Sequence, residues 1–256
     1  MNVLVLGDIY GRPGRKIVSQ FLPDLVKQYK PVLVVANGEN AAGGFGLTRN
    51  VAEELFALGI DVLTSGNHIW DQKEMYHYIS EEPRILRPAN YPPQVPGASV
   101  YLHRCSDAVI AVVNLIGRVF MGDFDCPFRT ADQILADLPA EVTHVIVDFH
   151  GEATSEKIAL ALYLDGRISA LVGTHTHVPT ADEQILPKGT AFITDLGMCG
   201  PIHSVLGVDP EIVIDKFLTQ LPTRFSVAKG PAYLSGVVIS LSEDGRAAGI
   251  LRLNLQ

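Results

Sequence analysis

Residues 3–8 have the sequence VLVLGD, in which four apolar residues are followed by a glycine and an aspartate. Short runs of this kind recur along the chain, rich in valine and isoleucine, and several of them end in glycine plus a polar residue. Such runs are typical of strands that are buried on both faces. They lie at residues 3–6, 32–36, 62–63, 109–115, 145–147, 170–172, 191–193 and 237–241.

The segments between these runs have apolar residues three and four apart, which indicates amphipathic helices. These segments are 14–29, 48–58, 71–80, 130–138 and 155–164, the last with Thr154 as its helix start. Residues 99–116 and 235–253 read instead as two strands joined by a turn, which adds antiparallel pairs at the sheet margins. The alternation predicts strand-helix units packed in layers, so we expect an α/β fold in which a β-sandwich is flanked by helices.

The composition favours one globular domain over residues 1–256. A chain of 256 residues with 47% hydrophobic content fills one large core. Proline and glycine concentrate at residues 81–97 and 198–232 without a composition shift that would mark a domain boundary. We therefore expect these two stretches to be loops over the functional site.

The net charge and the cysteine content indicate which binding partners and which cellular compartment to expect. The net charge of −8 argues against a broad basic surface for long nucleic acid. Cys105, Cys126 and Cys199 are widely separated, which is not the pattern of a disulfide framework or a structural zinc site. No leader pattern precedes the first strand, and no uncharged apolar stretch approaches about 18 residues. We expect a cytoplasmic protein with no membrane partner.

Side chains of the types that bind metals stand at or just after the ends of the apolar runs. They are Asp8, Glu39, Asn40, Asn67, His68, His150, His175 and His177. Open α/β sheets place functional groups at the carboxyl ends of their strands. Taken alone, Asp8 also fits a turn cap and His68 fits a surface histidine. Taken together, the residues predict two divalent cations about 3.5–4 Å apart, an arrangement suited to attack on phosphorus.

The spacing within two pairs of these residues indicates the role of each member. Asn67 and His68 are adjacent and project in different directions, so we expect Asn67 to bind a metal and His68 to face the substrate. His175 and His177 are two residues apart, and we expect them on one side of an extended segment, within reach of two neighbouring metals. Glu39, which follows a flexible glycine, is expected to bridge the two cations.

These residues resemble the signature of the calcineurin-like metallophosphoesterases, which runs D-x-H, G-D-x-x-[DN], G-N-H-[DE], a lone His and G-H-x-H. The matching positions are Asp8, 38–40, 66–68, His150 and 173–177. Two departures are present, since Tyr10 stands where the superfamily usually has a histidine and Glu39-Asn40 replaces a spaced Asp and Asn. The same departures, with the longer motifs at residues 148–157 and 194–201, are similar to a bacterial branch, the two-metal 2′,3′-cyclic-nucleotide phosphodiesterases.

The resemblance implies a four-layer α-β-β-α sandwich with two metal ions. One ion would be held by Asp8, Glu39, Asn40 and His177, and the other by Glu39, Asn67, His150 and His175. A set of nitrogen and oxygen ligands is compatible with iron, manganese or zinc, and the resemblance favours iron or manganese. The resemblance further implies that a small phosphodiester, a 2′,3′-cyclic nucleotide, is opened to a nucleoside 3′-phosphate. A metal-bridging hydroxide would be the nucleophile and His68 the general acid.

Two other functions fit the same sequence. One is a regulatory scaffold that binds an RNA-processing protein or RNA, with a structural metal centre. The other is a phosphomonoesterase or protein phosphatase that uses the same metals. The sequence is compatible with a homo-oligomer and with a regulatory protein partner. It does not indicate which nucleotide base the site prefers.

Overall fold

The computed structural model describes residues 1–105 and 108–256, and within them the chain forms twelve strands and six α-helices. The strands are β1 (Asn2–Ile9), β2 (Leu33–Asn37), β3 (Val62–Thr64), β4 (Val100–Arg104), β5 (Val109–Ile116), β6 (His144–His150), β7 (Ala170–Thr174), β8 (Gln184–Ile185), β9 (Ala191–Ile193), β10 (Met198–Pro201), β11 (Ala232–Leu241) and β12 (Ala247–Leu255). The helices are α1 (Gly11–Tyr29), α2 (Arg49–Ala57), α3 (Met75–Glu81), α4 (Pro127–Asp137), α5 (Thr154–Leu164) and α6 (Pro210–Thr219).

The strands form two six-stranded sheets. The first has the order β12-β11-β10-β1-β2-β3 and the second the order β4-β5-β6-β7-β9-β8. Parallel pairing joins β1 to β2 and β2 to β3 in the first sheet, and β5, β6, β7 and β9 in the second. The antiparallel pairs predicted at the margins are confirmed as β11 with β12 and β4 with β5. The turn predicted between β4 and β5 includes residues 106–107, which lie outside the described residues.

Alternation along β1 shows how the layers are built. Leu4 and Leu6 pack with Leu22 of α1 in the core between the first sheet and its helices. Val3 and Val5 face the other way, into a core shared with strands of the second sheet. A third core lies between the second sheet and helices α4 and α5. Because successive residues of a strand point to opposite faces, these cores stack as helix, sheet, sheet and helix, which confirms the four-layer α-β-β-α sandwich.

Of the two stretches predicted as loops over the site, residues 198–232 differ from the prediction in secondary structure. Residues 198–232 contain β10, which pairs with β1, and α6, whose start is capped by the Asp209 carboxylate. Leu206 and Phe225 of this stretch do border the site cleft. The other stretch forms no helix or strand over residues 82–97, so its prediction as a loop is confirmed, and Leu86 within it is buried in the core between the sheets. Short strands rich in glycine and proline lack the periodicity that sequence patterns detect.

Helix α5 begins at Thr154 as predicted, whereas the helix predicted over residues 71–80 begins later. The N-cap of α5 is Ala153, which makes no side-chain capping bond, so Thr154 is the first helical residue. Glu156 in the same turn is buried, and its carboxylate accepts hydrogen bonds from the backbone N–H groups of Arg118 and Val119. Helix α3 begins at Met75, after a turn that holds residues 68–74. The N-cap residue makes no side-chain capping bond at either of these two starts.

Candidate metal centre

The predicted ligands meet at one edge of the sandwich. Asp8 lies in β1, residues 39–40 follow β2 and residues 67–68 follow β3, all in the first sheet. His150 ends β6 and residues 175–177 follow β7, both in the second sheet. Since these parallel strands run to the same edge, side chains from both sheets face a common cleft of about 280 Å³.

One group of ligand atoms gathers around His150. Its Nε2 atom lies 3.0 Å from Oε1 of Glu39, 3.1 Å from Oδ1 of Asn67 and 3.0 Å from Nδ1 of His175. A single ring nitrogen carries at most one proton, so hydrogen bonding alone does not account for three such neighbours. The ligand atoms of Glu39, His150 and His175 lie within 4.8 Å of one another, which fits a shared cation.

A second group surrounds Asp8, whose carboxylate is fully buried. Oδ1 of Asp8 has no hydrogen-bond partner within the described part of the chain, and it lies 3.7 Å from Nε2 of His177. The side-chain amide of Asn40 approaches the same Nε2 atom at 3.2 Å. An unsatisfied buried carboxylate oxygen is costly, and a cation between these groups would satisfy it.

Glu39 lies between the two groups. Its Oε1 atom is 3.0 Å from His150 and 3.5 Å from the Asn40 amide, so one carboxylate borders both sets of ligands. Oε2 accepts a hydrogen bond of 3.0 Å from the backbone N–H of His68. This placement fits the bridging role predicted for Glu39, which stays a prediction.

The remaining ring nitrogens are held by other partners. Nδ1 of His150 lies 2.9 Å from the Thr174 hydroxyl, and Nδ1 of His177 donates to the Leu206 carbonyl at 2.9 Å. Nε2 of His175 lies 3.1 Å from the Glu152 carboxylate. Such partners fix the tautomer of a metal-binding histidine, so each ring presents its other nitrogen to the centre.

The His175–His177 segment is not extended, so that part of the prediction is wrong. Strand β7 ends at Thr174, and His175 and His177 have φ angles of 103° and 64°, in the region that favours glycine. Each such residue costs about 1–3 kcal/mol and persists only where its surroundings hold it. The turn sends the two rings to different groups, His175 toward His150 and His177 toward Asp8.

A buried ion pair that the sequence reasoning missed supports this turn. The Lys157 ammonium lies 2.6 Å from Oδ2 of Asp195 and donates to the Thr174 carbonyl at 2.9 Å. The same Oδ2 atom accepts from the backbone N–H of Thr176 at 3.1 Å. The pair therefore holds the backbone on both sides of His175. The sequence does contain one sign of the buried lysine, because Lys157 falls on the same helical stripe of α5 as the buried residues 160, 161 and 164.

Burial and charge shift the pKa values of the central groups. Burial raises the pKa of Asp8, against the attraction of His177 and His150. Burial also opposes ionisation of Glu39, but His150 lowers the pKa of Glu39 to about 2. Burial and the neighbouring His150 lower the pKa of His175 to about 3. Glu39 is therefore ionised and His175 is neutral, the forms in which carboxylates and imidazoles bind metals. Burial opposes the charged form of His150, but Glu39 raises the pKa of His150 to about 9, so His150 must release a proton when it binds a metal.

His68 differs from the other predicted residues in its partners. Its Nδ1 atom lies 2.8 Å from the Asp71 carboxylate, and its ring packs edge-on against Phe45 with centroids 5.3 Å apart. The side chain is 30% exposed and lines the cleft. Asp71 thus holds the ring through one nitrogen and leaves Nε2 as the other site for proton transfer. Asp71 is a second residue that the sequence reasoning did not single out.

A two-sheet sandwich with carboxylate, amide and imidazole side chains gathered at one edge is the arrangement of the metallophosphoesterases. The family model described as YmdB-like protein matches residues 4–253, so the chain belongs to the YmdB-like family. It is 48% identical to the Bacillus subtilis (strain 168) protein named 2′,3′-cyclic-nucleotide 2′-phosphodiesterase over 248 residues, 97% of this chain and 94% of that relative.

Two solved structures extend the comparison. A protein from Mycoplasma pneumoniae described as a novel phosphatase has a TM-score of 0.94 and 34% identity, covering 100% of this chain and 93% of the other. The Haemophilus influenzae NAD nucleotidase has a TM-score of 0.60 and 17% identity, covering 99% of this chain and 55% of the other. The second match shows the fold alone, and it agrees with the predicted calcineurin-like sandwich.

Proposed function

We propose that this protein is a metal-dependent phosphodiesterase that opens 2′,3′-cyclic nucleotides to nucleoside 3′-phosphates. The observation that carries the proposal is the gathering of the Glu39, Asn67 and His175 ligand atoms within about 3 Å of His150 Nε2. Similarity to the Bacillus subtilis phosphodiesterase over nearly the whole chain supports the choice of substrate.

The residues fit two cations of the kind predicted. Our assignment gives Asp8, Glu39, Asn40 and His177 to one ion and Glu39, Asn67, His150 and His175 to the other. A set of oxygen and imidazole ligands without thiolate suits iron or manganese, and zinc is compatible. When bound, the cations lower the pKa of water, which makes hydroxide available near neutral pH, and they stabilise charge on the phosphoryl oxygens.

His68 acts as the general acid. It lines the cleft beside Glu39, and Asp71 holds its Nδ1 atom, so Nε2 can give a proton to the departing ribose 2′ oxygen. Such proton transfer contributes about 10²–10⁴-fold to the rate. Removing it should matter most where the leaving group is a poor one, such as an alkoxide.

The walls of the cleft suit a nucleoside. Phe45 stands on the side of His68, and Leu206, Val208 and Phe225 form an apolar border near His177. Small-ligand sites combine such apolar walls with a few polar groups that fix orientation. The polar groups here engage the phosphate, and the apolar side chains contact the sugar and base.

The whole chain works as one domain in the cytoplasm in this proposal. The core between the two sheets, which Val3 and Val5 share with Ile146 and Val172, supports one folding unit. Free thiols at Cys105, Cys126 and Cys199 suit a reducing compartment. None of the helices in the described residues has the length and apolar character needed to cross a bilayer.

The central experiment supplies purified protein with Mn²⁺ or Fe²⁺ and with 2′,3′-cyclic AMP. We expect adenosine 3′-phosphate as the product, loss of turnover on chelation, and recovery when metal is returned. Formation of adenosine 2′-phosphate would overturn the assignment of the leaving oxygen. Absence of turnover in a fully metal-loaded protein would favour the scaffold, and preference for p-nitrophenyl phosphate over its bis-ester would favour a phosphomonoesterase.

A His68→Ala variant tests the proton donor separately. We expect unchanged metal content and a kcat lower by roughly 10²-fold on 2′,3′-cyclic AMP, because the alkoxide leaves unprotonated. The defect should shrink on bis-p-nitrophenyl phosphate, since a phenolate of low pKa departs without help. Loss of a metal ion, or an equal defect on both substrates, would show that His68 is a ligand or a structural residue.

A further inference from the structure

The charge of the cleft is unusual for a site that binds phosphate. Its described lining includes the carboxylates of Glu39 and Glu152 but no lysine or arginine side chain. Glu39 is buried and belongs to the proposed metal ligands. Glu152 is different, because its side chain is 49% exposed at the cleft wall. Apart from the proposed metal ligands and their cations, the described cleft lining therefore presents the Glu152 carboxylate and no lysine or arginine to an incoming phosphate.

The position of Glu152 is fixed by one contact. Its Oε2 atom lies 3.1 Å from Nε2 of His175, the ring nitrogen that faces away from the centre. Lys157, the nearest cation along α5, is fully buried and directed to Asp195 and the Thr174 carbonyl, so it does not pair with Glu152. Among its described contacts, Glu152 therefore has no lysine or arginine partner, and its carboxylate borders the cleft next to the proposed ligand His175.

We propose that Glu152 selects monoanionic phosphodiesters against dianionic phosphate monoesters, an inference that rests on the proposed function. A phosphate monoester has a second pKa of about 6 and carries nearly two charges at pH 8, whereas a diester carries one. The extra charge is repelled by Glu152, and across a few ångströms of partly solvated space this corresponds to roughly three- to tenfold in affinity. The same repulsion assists release of the product, which is itself a monoester.

The test uses Glu152→Gln, which removes the charge and keeps an oxygen that accepts the His175 Nε2–H. Rates are measured at pH 8 and low salt on p-nitrophenyl phosphate and on bis-p-nitrophenyl phosphate. We expect the ratio of monoester to diester kcat/KM to rise about three- to tenfold, with metal content unchanged. Added salt should shrink the difference between variant and native protein, because it screens the carboxylate.

A matched control is Glu53→Gln, which removes an exposed carboxylate on α2 that is outside the cleft lining. This variant has the same net charge as Glu152→Gln and should keep the native ratio. Calorimetric titration with adenosine 3′-phosphate gives a readout that does not depend on turnover. Binding should tighten by the same three- to tenfold in Glu152→Gln and stay unchanged in Glu53→Gln.

The outcomes separate this inference from the proposed function. If native protein hydrolyses the diester but Glu152→Gln leaves the ratio and the adenosine 3′-phosphate affinity unchanged, the charge selection is wrong and the phosphodiesterase stands. If Glu152→Gln loses metal, Glu152 serves to hold His175 and the charge selection is wrong. If native protein with metal bound turns over no diester, the proposed function fails first.

Discussion

The buried Lys157–Asp195 pair offers a quantitative test of how the metal centre is held in place. Both side chains are buried, at 0% and 1% exposure, so replacing Lys157 with methionine leaves the Asp195 charge without its counterion. We expect this variant to be less stable and to bind metal more weakly than the native protein. The pair holds the backbone around His175, so both effects share one cause.

The size of the stability loss follows from the remaining contacts. Breaking a buried ion pair by removing one partner costs about 3–5 kcal/mol. Asp195 keeps its bonds from the backbone N–H groups of Thr176 and Gly197, and the Thr174 carbonyl still accepts from Gly151. These contacts favour the lower value, about 3 kcal/mol. For a chain of this size the loss corresponds to a fall in Tm of about 6–12 °C.

The assay combines thermal unfolding with metal titration by calorimetry. Metal affinity should fall about 10–100-fold, the usual effect of losing a group that supports a ligand. Lys16→Met, on the exposed face of α1, is the matched control and should change neither quantity by much. The double variant Lys157→Met with Asp195→Asn should be more stable than Lys157→Met alone, because no buried charge remains. A native Tm and native metal affinity in Lys157→Met would refute the reasoning.

The proposed ligands supply the remaining predictions. Chelation should lower Tm as well as abolish turnover, since cations that bind the folded state stabilise it, and a chelated protein with native Tm and full activity would contradict the centre. Asn67→Ala and His150→Ala should each abolish turnover and reduce the metal content, measured by elemental analysis, from about two ions to about one. Their far-ultraviolet circular dichroism should stay native, because both residues lie at strand ends; a collapsed spectrum would mark them as structural.

The sequence could predict which side chains gather at this edge because each of them follows a local pattern, the end of a buried run. Asp8 and His150 each end a buried run, and parallel strands bring such ends to one edge whatever the loops between them do. The Lys157–Asp195 contact could not be predicted from a local pattern, because it joins residues 38 positions apart. It depends on the packing of α5 against the segment after β9. The left-handed backbone at His175 was also hidden, since a histidine there gives no local sign of positive φ.

Tyr10 shows how the departure from the usual signature fits this structure. Its ring packs edge-on against His177 with centroids 5.4 Å apart, and burial raises its pKa to about 12, so it stays a neutral phenol. A neutral phenol is a poor metal donor, and this ring contact would help to orient His177, one of the proposed ligands. The group around Asp8 is then left with one imidazole, that of His177, whereas the group around His150 has two. Oxygen-rich sites favour harder cations such as manganese, so the two sites are expected to differ in affinity and preferred metal.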